Sequence, residues 1–222
     1  MPRSKRSKVV SLTKAIPKTR VAKTELTQKI EEALDKYDHV YVFACDNMRN
    51  NFLKEVRHDW SHSRIFWGNN KVMGKAFGAS PEDEYQANTH HLGKALVNDV
   101  GLLFTNESPE AVQTYFKNFT RLDYARAGVV ATETVALAQG PVVRGPDSEP
   151  FPNNMETQLR ALGMPTSLKN GVITLLQDYN ICKADDTLNS QQCQLLKHFY
   201  HQQAEFKMVL KCHYSNGVFS RM

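Results

Sequence analysis

Apolar residues recur along this chain with two different periods, and the alternation between those periods predicts its architecture. From about residue 24 to 36, Leu26, Ile30, Ala33 and Leu34 fall at helical spacing. The run His39-Val40-Tyr41-Val42-Phe43-Ala44-Cys45 is apolar almost throughout and rich in β-branched and aromatic residues, as a buried strand requires. Asp46 offers a cap for a second helix whose apolar side is Leu53, Val56 and Trp60. A shorter strand is predicted at Arg64-Ile65-Phe66-Trp67, then a helix over about residues 70 to 78. Ser80-Pro81-Glu82-Asp83 and Ser108-Pro109-Glu110 each place Ser at an N-cap, Pro at the first helical position and acids in the first turn. Both therefore predict helix starts, and the second helix carries Val112, Tyr115, Phe116 and Phe119 on one face. Gly101-Leu102-Leu103-Phe104-Thr105, between them, reads as another buried strand. Strands alternating with helices indicate an α/β layer around a central sheet.

The pattern then changes. Residues 140 to 152 hold four prolines and two glycines with no periodic apolar signal, which predicts a long loop. Short β-like runs flank it at residues 134–137 and 171–176, with a brief helix over about 154–162 stopped by Gly163. Residues 122–186 are therefore expected to form a smaller inserted α+β domain. Downstream, Asn189 or Ser190 caps a helix bearing Leu195, Leu196 and Phe199. Phe206, Met208, Leu210, Cys212 and Tyr214 alternate with Lys207, Lys211 and His213, the period of a half-buried strand. An Asn216-Gly217 turn then predicts a hairpin. The expected organisation is a basic arm over residues 1–23, an α/β domain over 24–121 and 187–222, and the insert between.

Charge changes the picture. Arg3, Lys5, Arg6, Lys8, Lys14, Lys18, Arg20 and Lys23 place eight positive charges in the first 23 residues, with no acid among them. The whole chain is net +5, so the remainder is net −3 and close to neutral. A basic arm on such a body seeks phosphate, or serves as a nuclear or nucleolar address. The charged N-terminus lacks the apolar middle of a signal peptide, so no secretion is expected, and no stretch has the apolar length of a membrane span. Cys45, Cys182, Cys193 and Cys212 are scattered in apolar contexts and are expected as small core residues in a reducing compartment.

Catalytic motifs fail on spacing. Gly68 and Gly74-Lys75 suggest a phosphate loop, but five residues separate the glycines and Ala76 stands where a magnesium-binding hydroxyl belongs. Cys193, His198, His201, Cys212 and His213 match no paired-cysteine zinc spacing. No nucleophile elbow is present, so no enzyme, metal or cofactor is expected. Phosphate-binding surface is better supported. Asn50, Lys54 and Arg57 share a helix face away from Leu53, Val56 and Trp60, with Arg49 at its border. Asn70, Lys71 and Lys75 cluster at the next helix start, where unpaired amides also favour anions. Cations and amides so grouped suit RNA backbone and 2′-hydroxyl recognition. With Lys5, Arg6 and Lys8 of the arm, these are the candidate RNA contacts.

Seven stretches in order resemble one family: Met1-Pro2-Arg3-Ser4-Lys5-Arg6, Asp46-Asn47-Met48-Arg49-Asn50, Asn70-Lys71-Val72-Met73, Gly101-Leu102-Leu103-Phe104-Thr105-Asn106, Asp123-Tyr124-Ala125-Arg126-Ala127-Gly128, Gly163-Met164-Pro165-Thr166 and Ala204-Glu205-Phe206-Lys207. The family is the eukaryotic ribosome assembly factors called mRNA turnover protein 4, paralogues of the ribosomal stalk-base protein. The resemblance implies a stalk-base-protein-like rRNA-binding domain with an insert and no catalytic activity. It implies binding to large-subunit rRNA at the GTPase-associated centre of nuclear pre-60S particles, beside neighbouring stalk-base ribosomal proteins, until exchange for the stalk-base protein. Nucleus and nucleolus are the implied locations, with the cytoplasm reached on late particles; membranes and small-molecule substrates are not implied. The chain departs from the family at Asn69, where a basic residue is common. It also ends at Met222 without the stalk protein's further helices and acidic tail, which implies a placeholder. The competing expectation, prompted by the family's name, is an mRNA-decay or nucleotide-processing enzyme.

Overall fold

The computed structural model describes residues 19–222, so Lys5, Arg6 and Lys8 lie outside the described residues. The first half runs α1 (Arg20–Lys36), β1 (His39–Asp46), α2 (Asn50–Asp59), β2 (Arg64–Phe66), α3 (Asn70–Lys75), α4 (His90–Ala95), β3 (Val100–Thr105), α5 (Pro109–Asn118) and β4 (Thr120–Asp123). Short strands follow: β5 (Val135–Leu137), β6 (Gly140–Pro141), β7 (Val143–Arg144) and β8 (Glu149–Pro150). The chain then forms α6 (Glu156–Ala161), β9 (Thr166–Lys169), β10 (Val172–Leu175), β11 (Tyr179–Cys182), α7 (Ser190–His198), β12 (Ala204–Ser215) and β13 (Val218–Arg221). The largest sheet has the order β13-β12-β1-β3-β2, with β4 also paired to β12. Among the described residues, no helix is long and apolar enough to cross a membrane.

Two compact units emerge: one takes residues up to Val42, Ser63–Asn106 and Lys211–Met222, the other Phe43–His62 and Glu107–Leu210. In the first unit every residue of β3 is buried, as its unbroken apolar run dictates. β2 pairs antiparallel with it, Arg64 opposite Phe104 and Phe66 opposite Leu102, and the rings of Phe66 and Phe104 meet edge to face. Ile30, Leu34, Met73, Phe77 and Leu92 complete this core. The Asn216-Gly217 turn joins β12 to β13, both residues holding positive φ.

In the second unit, Ser108 caps α5 by accepting from the Ala111 amide and Pro109 occupies its first position. Val112 and Phe116 are buried, and Phe116 stacks on Trp60 at 5.5 Å. Asn189 and Gln192 form a reciprocal cap on α7. A second core gathers Val135, Leu159, Ile173, Leu175, Ile181, Leu195 and Leu196 around that helix.

Three expectations need correction. Asp46 ends β1 instead of capping α2: Asn47 turns left-handed at φ 49° and Arg49 becomes the cap residue. Ser80-Pro81-Glu82-Asp83 starts no helix. The Asp83 amide donates to the Ser80 carbonyl as a single turn, and the Tyr85 hydroxyl donates to Asp35 at 2.8 Å, so tertiary contacts take the segment. The predicted loop over residues 140–152 contains three short strands. Val143 pairs with Pro150, while the Arg144 guanidinium lies over the rings of Phe151 and Tyr200. These contacts have no periodic signature.

A histidine in the first unit yields a stability prediction. His213 Nε2 and His39 Nδ1 stand 3.2 Å apart, and the Tyr41 ring stacks on His213. Burial, then the neighbouring His39, lowers the His213 pKa below its ordinary value. The unfolded chain therefore binds the His213 proton first as pH falls, and that contribution to stability is lost below about pH 6.5. In urea titrations across this range the His213→Gln variant is expected to lose less stability on acidification than wild type. Equal pH dependence in both proteins rejects the assignment.

Candidate nucleic-acid interface

On α2, helical geometry separates two faces. Leu53 and Val56 are buried, while Asn50, Lys54 and Arg57 are exposed. The acids of the same helix are engaged elsewhere: Glu55 pairs with Arg121 at 3.3 Å, and Asp59 accepts from the Tyr115 hydroxyl at 2.6 Å. Burial and that hydrogen bond push the Tyr115 pKa up, which keeps the phenol a donor. Lys54 and Arg57 form no salt bridge among the described residues, so their charge faces solvent unneutralised.

Arg49 differs from these neighbours. Its Nε lies 2.5 Å from an Asp123 carboxylate oxygen and its Nη2 donates to the Tyr124 carbonyl, with the side chain only 22% exposed. The guanidinium is committed to holding the β4 end against the start of α2. Asn47 donates to the Glu205 carbonyl at 2.9 Å, and Ala204 pairs with Asp123 in the β12–β4 ladder. Three of the stretches that carry the family resemblance thus meet at one joint. A cleft of about 630 Å³ opens there, lined by the first turn of α2, residues 123–127 and one side of α7.

The α3 cluster belongs to the other unit. Lys71 and Lys75 are exposed, and Asn70 is half-buried with its amide donating to the Asn98 carbonyl at 2.6 Å. The helix is shorter than its sequence predicts, six residues against nine, and its first amides are not free. Asn69 Oδ1 accepts from the Lys71 amide, and the Asn69 carbonyl accepts from Val72 and Met73. The expected help from unpaired amides is therefore absent at those three residues, and Asn69 has a structural reason to be Asn. Gly93 backs onto this helix: a Cβ there would stand 3.5 Å from the Gly74 carbonyl oxygen. That contact brings exposed Lys94 of α4 beside a cleft of about 680 Å³ shared with Lys71 and Lys75. Sequence reasoning missed Lys94 because nothing local ties α4 to α3.

Burial, then the adjacent Asp46, pushes the Cys45 thiol up to about 12, and burial raises Cys193 and Cys212 as well. Thiols held in that direction are poor nucleophiles at neutral pH. All four cysteines are free, and Cys182, Cys193 and Cys212 are buried as their contexts suggest.

Family models match most of the chain. The model described as "Ribosomal protein L10" covers residues 18–121, and one for the insertion domain of the 60S ribosomal protein of that family covers residues 125–200. The ribosome assembly factor mrt4 of Schizosaccharomyces pombe is 44% identical over 97% of this chain and 92% of its own length. The factor of the same name from Dictyostelium discoideum is 40% identical over 99% and 96%. The large ribosomal subunit protein uL10 of Oryza sativa is more distant, at 24% over 93% of this chain and 63% of its own. The chain therefore belongs to the family of Mrt4 ribosome assembly factors, paralogues of ribosomal protein L10 that combine its domain with its 60S-type insertion domain.

Proposed function

We propose that this protein is a non-enzymatic ribosome assembly factor that binds large-subunit rRNA at the stalk-base site of nuclear pre-60S particles. It holds that site until the ribosomal stalk-base protein replaces it. Residues 24–121 and 187–222 supply the RNA-binding domain, and residues 122–186 the insert. The observation that carries this reading is the set of exposed cations Lys54, Arg57, Lys71 and Lys75 on an L10-family scaffold, none in a salt bridge among the described residues. Compact lysine and arginine charges on helices meet phosphates, whereas the basic arm adds non-specific attraction. Relationship to uL10 at 24% identity supports a shared RNA target.

The test is a binding competition. Purified protein is titrated onto an RNA fragment of the GTPase-associated centre, then challenged with the stalk-base protein. Mutually exclusive binding is expected, with affinity falling as salt rises, because each neutralised phosphate releases counterions at about 0.7 to 0.9 of a log unit per decade of salt. Simultaneous binding of both proteins, or an affinity indifferent to salt, rejects the reading.

A further inference from the structure

The cleft at the start of α2 has more in it than phosphate contacts. Arg126 and Lys197 stand exposed at its edge, and with Arg49 already paired to Asp123 they supply its unneutralised positive charge. Tyr124 and Phe52, both half-buried, line it, the Phe52 ring also packing against Phe206 at 5.4 Å, while Asn51 and Gln194 bring exposed amides. Its volume of about 630 Å³ lies within the range of sites that enclose small organic groups.

The cleft is also rigidly built. Arg49 fixes the Tyr124 carbonyl, and the Gly128 amide donates to the Leu188 carbonyl at 2.8 Å. The Val129 amide closes a turn on the Arg126 carbonyl, and Asn189 and Gln192 cap α7 below it. A cleft held this firmly orders few side chains when it binds.

The geometry points to a pocket for one unpaired nucleotide of the bound RNA, an inference that rests on the rRNA-binding function proposed above. Aromatic faces stack on an unstacked base, amides read its edge, and two cations take the flanking phosphate. Asn50, exposed on the RNA-facing side of α2, also lines the cleft, so a strand lying on α2 reaches the pocket without a break. An acidic peptide would use the cations but would leave the aromatic side chains and amides without a role.

The test uses the full chain and three RNA hairpins: one perfectly paired, one with a single unpaired adenosine, and one with that nucleotide abasic. Wild type is expected to prefer the adenosine bulge over the paired hairpin by about tenfold, and the abasic hairpin is expected to lose most of that gain. Tyr124→Leu, and separately R126E/K197E, should bring the bulged hairpin down to the paired one. These changes are at half-exposed or exposed side chains, and circular dichroism checks their folding. Equal affinity of wild type for the three hairpins overturns the pocket while leaving paired-RNA binding, and hence the proposed function, standing. A bulge preference unchanged in both variants also overturns it. Failure of wild type to bind any hairpin overturns both readings.

Discussion

Reversing the charge at Lys54, Arg57, Lys71 and Lys75 together is expected to weaken binding to stalk-base RNA on the order of a hundredfold or more at about 0.15 M salt. The same variant should leave purified pre-60S particles while keeping the wild-type melting temperature within a few degrees. The reasoning is electrostatic. None of the four is in a salt bridge among the described residues and all are exposed, so folding gains little from their charge. Losing the four proposed phosphate contacts should also flatten the salt dependence of affinity by roughly three units in the log–log slope. A variant with weaker binding but an unchanged slope points to a distorted surface, and undiminished particle association rejects these residues as contacts. Arg49 makes an informative contrast. Its pairing with Asp123 and the Tyr124 carbonyl predicts that Arg49→Ala acts first on stability and only secondarily on RNA affinity.

How far the sequence foretold this molecule depends on whether a signal is local. β1 and β3 were legible because a strand buried on both faces needs an unbroken apolar run, and both have one. The Ser108 cap and the Asn216-Gly217 turn were legible because their chemistry is confined to neighbouring residues. Ser80-Pro81-Glu82 carries the same local signal as Ser108-Pro109-Glu110, yet forms no helix. There Tyr85 donates to Asp35 and Gln86 to the Leu34 carbonyl, both about fifty residues upstream. The candidate site divides in the same manner. Helical spacing alone placed Asn50, Lys54 and Arg57 on one face, and the structure puts all three at the surface. Arg49 reads as one more surface cation until Asp123, distant in sequence, is brought against it. Lys94, Arg126 and Lys197 reach their clefts through contacts between segments far apart in the chain, so no periodicity announces them.

Gly78 offers the sharpest test of the backbone on the α3 side. It sits at φ +86°, and a Cβ there would lie 2.3 Å from the Asp83 carbonyl oxygen and 2.6 Å from Glu84 Cα. Both obstacles are main-chain atoms, so no rotamer change relieves them. Gly78→Ala is expected to cost about 3 kcal/mol or more, combining left-handed strain of roughly 1–2 kcal/mol with forced displacement of the 83–84 segment. For a chain of this size that lowers the melting temperature by roughly 6–12 °C. The control is Gly128→Ala, at a similar φ of +93° but with nothing within 4 Å of its Cβ. It carries the strain alone and should cost about 1 kcal/mol. The displaced segment also carries Glu84, which anchors buried His90 at the start of α4, next to Thr89, whose hydroxyl donates to the Phe77 carbonyl at 2.9 Å. Lys94 of the same helix lines one cleft with Lys71 and Lys75, so RNA affinity is expected to fall in Gly78→Ala beyond what partial unfolding explains. Equal melting temperatures for the two alanine variants disprove the close approach at Gly78.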